Sequence, residues 1–277
     1  PNGMGKSTAI NLLSGTIRPN LGDWTSNSKA WEEILPSFPR GELRDYLALV
    51  SEEQATVAVK PQYVDKLPDI FDGLVKELLE RVDERGEAAS YAEALTIEHI
   101  LDRDLQALSG GELQRVAICA TLLKEADVYF FDEPSSYLDI HERMRIVRII
   151  QDLAERGKRV IVVEHDLAIL DVLCDLVHIV YGERAAYGIF TPARSTRTAI
   201  NAYLDGFLPE ENIRIRDKPI RFLKGRVRGE GLGQAMLRWG DMEKTLGEFE
   251  LTTGEGQVRS AEVVGVVGPN STGKTTM

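Results

Sequence analysis

Cysteine is almost missing from this 277-residue chain. Only Cys119 and Cys174 occur, neither has a cysteine nearby, and both sit in apolar helical patterns, "VAICATLL" and "LDVLCDLV". Disulfide frameworks and CxxC metal sites are thereby excluded within these residues. The two thiols read as small core side chains, and a reducing, cytoplasmic setting is expected. No run approaches the roughly 20 consecutive apolar residues that a membrane-spanning helix needs, so no membrane partner is expected. Basic residues are also in deficit: 33 Lys and Arg against 44 Asp and Glu leave a net charge of −11. That argues against a general polyanion-binding surface. The deficit is uneven, because residues 214–228, "RIRDKPIRFLKGRVR", carry seven basic side chains against the single acid Asp217. This stretch reads either as a solvated strand pair or as a local contact to a phosphate backbone, which needs a patch and not a basic protein.

What is present is glycine in two telling places. "GPNSTGKTT" at 268–276 matches G-x-x-x-x-G-K-[ST] in full. Backbone N–H groups of Gly268, Asn270, Gly273 and Thr276, with the Lys274 ammonium, are the expected phosphate holders, and Thr275 the magnesium ligand. "PNGMGKST" at 1–8 fits the same pattern from its second position onward, giving Asn2, Gly3, Gly5, Lys6, Ser7 and Thr8 the corresponding roles. Two such loops in matching contexts exclude a chance glycine turn. Their lysines lie 274 − 6 = 268 positions apart, so the chain reads as one repeat unit plus the opening of a second.

Between the loops, strands alternate with helices. A helix opens directly from the first loop. Two short helical patterns, "AWEEIL" and "GELRDYLALV", are separated by "PSFPRG". A β-branched run at 56–59 predicts a strand, "DVYFFDEP" and "RVIVVEHD" predict buried strands by their continuous apolar runs, and "LVHIVYG" predicts another. Helices are expected at about 73–85, 90–101, 141–155 and 167–174, and a long one follows "LSGG". This order implies an α/β fold with a mostly parallel sheet and its ligand at the strand carboxyl ends. From about 200 to 225, Gly206, Pro209, Pro219 and Gly225 interrupt any long helix. The expected division is a first domain over 1–200, a hinge over 201–228, and a β-rich start of a second domain over 229–277. In that last part, antiparallel strands are expected to feed an apolar strand into the second glycine loop.

The chemistry lies at the strand ends. "YFFDEP" presents Asp132, which can hold magnesium through water, and Glu133, which can orient or deprotonate an attacking water. "VVEHD" ends the next strand with His165, placed to hydrogen-bond a γ-phosphate, whereas His99, His141 and His178 read as packing or surface residues. Gln62, after the first strand, is a candidate for magnesium or the water. "LSGGELQ" at 108–114 sets Ser109, Gly110 and Gly111 at a helix N-terminus, an anion site by geometry and dipole. One domain does not need two phosphate-binding helix ends for one nucleotide. The second makes sense as a cap on a nucleotide held by a partner domain.

At this point the sequence resembles the ATP-binding-cassette ATPases: both P-loops, the "LSGGELQ" signature, "DEPSSYLD" and "VVEHD" cover nearly all of residues 1–200. The chain resembles a piece of a tandem cassette ATPase, cut at both ends within equivalent loops. "VKPQYVDKLP", "VVEHDLAILD" and above all "NAYLDGFLPEENIRIRD" at 201–217 resemble one family, the ribosome-recycling ATPase also called RNase L inhibitor. The resemblance implies a P-loop NTPase cassette with a helical subdomain carrying the signature, then a hinge and the start of a second cassette. It implies ATP and Mg2+ as ligands, the small ribosomal subunit and the release-factor machinery as partners, and an intramolecular second cassette completing each site. It also implies that the helical pair at 31–50 faces the small subunit. The intact protein would hydrolyse ATP to split ribosomes after termination, and these 277 residues alone would be inactive. Iron–sulfur clusters are implied only for a region ahead of the first cassette. The family's adenine-stacking aromatic falls on Trp239 or Phe249, with Trp239 favoured. Residues 226–236 match nothing in the family. A transporter's ATPase subunit shares the core motifs, and so does an antibiotic-resistance-type translation factor, but the latter needs a long helical linker that 200–225 cannot form. A non-catalytic clamp is disfavoured by Glu133 and His165.

Overall fold

The computed structural model describes residues 3–23, 29–222, 233–247, 249–270, 272–274 and 276. The chain divides into two compact units, Pro1–Leu138 with Glu142–Ile220, and Asp139–His141 with Arg221–Met277. The division at Ile220 lies inside the stretch expected as a hinge.

The first unit opens with helix α1 (Lys6–Leu13), which springs from Gly5 in the left-handed conformation. Helices α2 (Trp31–Ile34) and α3 (Glu42–Ser51) follow, with Pro36 in the short 3-10 turn between them. The Tyr46 hydroxyl donates to the Leu13 carbonyl at 2.9 Å, tying α3 to the end of α1. Strand β1 (Val57–Lys60) leads into α4 (Leu67–Ile70), α5 (Val75–Val82) and α6 (Ala88–Ala94), then the long α7 (Gly110–Leu122). Strand β2 (Val128–Asp132), α8 (Ile140–Glu155), β3 (Arg159–Val163) and α9 (Leu167–Leu173) complete the alternation.

The strands β1, β2 and β3 form a parallel sheet with β2 central, in the register Val57–Val128–Arg159. Its position explains the unbroken apolar run of β2. Tyr129 and Phe131 enter a core with Val116, Ile118 and Leu122 of α7 and Ile146 and Ile150 of α8. Val128 and Phe130 face the other way and pack with Ile10 of α1. A strand covered on both faces has no polar position to alternate with. Each fully buried Phe contributes about 1.5–3 kcal/mol relative to exposure, so β2 is strongly anchored.

Strand β3 departs from its expected burial. Among the described residues it pairs only with β2 and lies at the sheet edge, with Ile161 41% exposed. The single expected strand in "LVHIVYG" is two, β4 (Leu176–Val177) and β5 (Val180–Glu183), because each turns to a different antiparallel partner. These partners are β7 (Arg194–Ser195) and β6 (Tyr187–Phe190) respectively. Helix α10 (Thr196–Asp205) ends at Gly206 in the left-handed conformation and runs into the small pair β8 (Phe207–Leu208) and β9 (Ile213–Arg214). Of the two thiols only Cys119 is a core group, and Cys174 is half-buried; burial pushes Cys119 up to about 12 and Cys174 up to about 11.

The second unit holds two antiparallel pairs, β10 (Ala235–Trp239) with β13 (Gly256–Arg259), and β11 (Met242–Leu246) with β12 (Phe249–Thr253). The apolar strand expected before the second loop is not formed. Residues 262–269 have no regular structure, and Val263 and Val267 are 98% and 96% exposed. A continuous apolar strand needs partners on both edges and cover on both faces, and neither β pair supplies them to this segment.

Candidate functional site

The site of the first unit is built where α1, β1, β2 and β3 converge. Gly3 and Gly5 both have left-handed φ, 79° and 80°, which turns the loop into the N-terminus of α1. The loop is backed by the β5–β6 hairpin: the Ala185 N–H donates to the Gly3 carbonyl at 3.2 Å. A Cβ on Gly188 would stand 2.1 Å from the Met4 carbonyl oxygen. Burial lowers the affinity of the Lys6 ammonium for its proton, against the pull of Glu133 and Asp132. Asn2 lies outside the described residues, and Thr8 sits in the first turn of α1.

Asp132 closes β2 and is 4% exposed. Burial pushes its carboxyl above the usual carboxylate range, although a hydrogen bond from the Ser7 hydroxyl and the Lys60 and Lys6 ammoniums oppose the rise. Its Oδ1 is buried without a hydrogen-bond partner. An orphaned carboxylate oxygen beside a hydroxyl is a hard-oxygen pair of the kind magnesium takes, with water and substrate oxygens filling its other positions. Among the described residues there is no cluster of three or more His, Cys, Asp or Glu that could form an all-protein cage.

Three side chains expected from separate motifs meet at Glu133. The Gln62 amide donates to Glu133 Oε1 at 3.0 Å, and His165 Nε2 lies 2.7 Å from the same oxygen. The Ser136 hydroxyl reaches Oε2 at 3.4 Å. Parallel register does this: Gln62 follows the end of β1, Glu133 follows β2, and His165 follows β3. Glu133 itself is left-handed at φ 49°, and its N–H donates to the Val163 carbonyl at 2.8 Å. Such an assembly can hold a water at a carboxylate flanked by a donor amide and an imidazole.

The signature stretch forms the N-terminus of α7, and part of its donor capacity is turned inward. The Ser109 N–H and hydroxyl both donate to Glu112 Oε2 at 2.7 Å, a capping box. Burial alone would raise the Glu112 carboxyl. Those bonds and the nearby Arg103 hold it below the usual range. Gly110 and Gly111 lie against Tyr137, where a Cβ would meet its ring at 3.4 Å and its carbonyl at 3.1 Å.

The likeness to known proteins follows the same residues. Residues 1–136 match the ABC transporter family. The chain is 43% identical over 280 residues to the translation initiation factor RLI1 of Chaetomium thermophilum, covering 99% of this chain and 46% of that protein. A solved structure of RNase-L inhibitor is 46% identical with a TM-score of 0.90, over 100% of this chain and 53% of that one. An archaeal ribosome recycling factor in complex with a ribosomal stalk protein gives the same identity, TM-score and coverage. The chain belongs to the RNase L inhibitor family of ATP-binding-cassette ATPases. It spans about half the length of the curated relatives it matches.

The second loop of this cassette protein is arranged differently. Gly273 has φ 82°, and the Lys274 ammonium donates to the Gly268 carbonyl at 2.8 Å and also to that of Pro269. The Thr276 N–H donates to Gly273 at 3.0 Å, and Thr275 lies outside the described residues. Asn270 stands between Pro269 and the turn. Of the two aromatic candidates, Phe249 is the one against the loop: a Cβ on Gly273 would meet its ring at 2.8 Å. Trp239 instead covers Gly256 across the β10–β13 pair, with its indole nitrogen buried and unpartnered.

The basic stretch at 214–228 also divides. Arg214 lies over Phe207, and Arg216 lies over Tyr203 and donates to the Tyr203, Leu204 and Lys218 carbonyls. These two serve the fold. Lys224, Arg226 and Arg228 lie outside the described residues.

Three residues at the first site escaped the sequence reading. Glu164 accepts from the Ser135 N–H at 3.0 Å and the His165 N–H at 2.9 Å, joining two strand ends. Gln114 of α7 and Lys60 of β1, both fully buried, reach the backbone of Glu133. The signal for Lys60 was a lysine inside a short β-branched strand, directly before "PQ".

Proposed function

We propose that this chain carries the catalytic groups of the first site of a tandem cassette ATPase, and that the whole protein uses ATP hydrolysis to separate ribosomal subunits after termination. The observation that carries the hydrolytic half is the meeting of Gln62, Glu133 and His165 beside the Asp132–Ser7 pair. Gly3, Gly5, Lys6 and Thr8 receive the phosphates. Ser7 and Asp132, with Gln62 as a further candidate, would hold magnesium, which would supply neutralisation of the phosphate charge. Glu133 takes the proton of the attacking water as its oxygen bonds to the γ-phosphorus and the bond to the β-phosphate oxygen breaks. His165, held by Glu164 through its N–H, steadies that carboxylate and turns to the γ-phosphate once a nucleotide is bound. Gly268, Asn270, Gly273, Lys274, Thr275 and Thr276 receive the phosphates of a second nucleotide, Ser109, Gly110 and Gly111 cap a nucleotide held by a partner cassette, and a partner's signature serves the first site.

The ribosomal half is supported by relatives named as a translation initiation factor and as an archaeal ribosome recycling factor, and by a solved structure described as a model of ribosome-bound archaeal Pelota and ABCE1. By this reading the helical pair α2–α3 faces the small subunit and release-factor machinery contacts the assembly. The protein works in the cytoplasm, and its iron–sulfur clusters belong to sequence outside these residues.

Glu133→Gln in the full-length protein tests the reading. Hydrolysis at the first site is expected to fall about 10²–10⁴-fold, while ATP stays bound and the protein stays on the small subunit in gradient sedimentation. Unchanged hydrolysis would remove Glu133 from the mechanism, and release from the subunit despite bound ATP would separate the ribosomal role from closure.

A further inference from the structure

A fully buried lysine demands an explanation, since such side chains almost never lose all contact with water unless paired. Lys60 is 0% exposed at the end of β1. Its ammonium donates to the Asp132 carbonyl at 2.9 Å and reaches the Glu133 carbonyl at 3.4 Å. The Gln114 amide, also 0% exposed, donates to the same Glu133 carbonyl at 2.7 Å. No element of the sheet needs this charge: Ala58, two residues earlier, fills the equivalent inward position with a methyl.

What does need it is the backbone of Glu133. A non-glycine residue in the left-handed region is strained, because its Cβ crowds the following carbonyl oxygen. It persists only where the surroundings over-determine it. Glu133 is fixed at both ends of its peptide units, by its N–H on Val163 and by two donors on its carbonyl. A charged donor makes the stronger bond. Relaxation of φ toward the right-handed region would swing the carboxylate away from Gln62 and His165. Burial lowers the Lys60 proton affinity to about 8, against the pull of Asp132, Glu133 and Glu164.

We propose that Lys60 is a positioning residue for hydrolysis: with Gln114 it pins the main chain at Asp132 and Glu133, and so holds the Glu133 carboxylate where the attacking water is received. The proposal rests on the reading of Glu133 given above. In the full-length protein, Lys60→Met is expected to lower kcat for ATP about 100-fold, with KM and nucleotide binding little changed. Lys60→Gln, which keeps a donor without the charge, should fall between it and the parent. Because Lys60 acts through Glu133, adding Lys60→Met to Glu133→Gln should cost nothing further. The residual rate of Glu133→Gln defines the background from the second site. If Glu133→Gln is itself fully active, the reading beneath the proposal fails. If Glu133→Gln is inactive while Lys60→Met keeps its kcat, or if Lys60→Met raises KM as much as it lowers kcat, the positioning role fails. Should Lys60→Met not fold, Gln114→Met tests the same carbonyl: a kcat loss of about tenfold at constant KM supports the proposal, and an unchanged kcat overturns it.

Discussion

The two glycine loops share one motif and one left-handed glycine. Gly5 and Gly273, each directly before the motif lysine, have φ of 80° and 82°. Their surroundings differ in everything else. The first loop faces three parallel strand ends that deliver Ser7's partner Asp132 and the Gln62–Glu133–His165 group. The second has its lysine folded onto its own loop carbonyls, an aromatic ring pressed against its glycine, and an apolar segment with no strand partners among the described residues. The left-handed turn before the motif lysine is therefore a feature that short-range sequence can encode. A catalytic site is a property of the sheet edge beside it.

The largest separation between the loops should come from removing Asp132, the carboxylate beside Ser7 of the first loop. Asp132→Asn keeps shape and deletes charge, and full-length protein carrying it is expected to lose about 10–100-fold in magnesium-dependent hydrolysis. Stability should move the other way. The folded carboxyl titrates above its usual value of 3.8, with burial as the main cause. For a group raised on folding, the stabilisation is complete below the unfolded pKa and is lost as pH rises through the folded one. At neutral pH Asp132 therefore costs stability, and the amide removes the cost. The nucleotide-free variant should melt higher by a few degrees, since about 1 kcal/mol shifts a domain of this size by about 2–4 °C. A lower melting temperature would mean that the Ser7 and lysine contacts outweigh burial.

Much of the first site was legible because its information is local. "DEP" and "VVEHD" each place an acid or imidazole at a strand end, and parallel alternation then puts those ends on one edge. The partner of His165 was not legible: its contact with Glu133 depends on register between β2 and β3, which no motif states. Lys60 and Gln114 were missed for the same reason, as their targets are backbone carbonyls 72 and 19 positions away. Burial of β3 was overread because a continuous apolar run describes covered faces and is silent about how many edges are paired. The apolar run at 263–267 misled more strongly. Its hydrophobicity marks a capacity to be buried, which becomes a strand only where partners are present.

Gly188 offers the next largest effect, confined to the first loop. A side chain there would collide with the Met4 carbonyl, so Gly188→Val must push the loop or the β5–β6 hairpin aside. Overpacking of this kind costs about 1–3 kcal/mol. The affinity of the first site for a fluorescent ATP analogue should drop about tenfold, which is about 1.4 kcal/mol, with the second site untouched. Equal losses at both sites would show that the hairpin does not act through the first loop.

The smallest effect is the most direct test of the comparison, because it changes the same motif position in both loops. Gly5→Ala and Gly273→Ala place a methyl on backbones of nearly identical φ, so each carries the same left-handed penalty of about 1–2 kcal/mol. Around Gly5 the added carbon meets nothing within 4 Å, whereas at Gly273 it meets the Phe249 ring at 2.8 Å and Leu251 at 3.1 Å. Hydrogen exchange without nucleotide should thus show the larger loss of protection in residues 233–276 for Gly273→Ala than in residues 3–220 for Gly5→Ala. The excess should vanish when Gly273→Ala is combined with Phe249→Leu, which removes the ring but keeps an apolar side chain on β12. If the two alanine variants cost the same and Phe249→Leu gives no relief, the ring does not press on the loop. The difference between the two loops would then rest on their acidic neighbours alone.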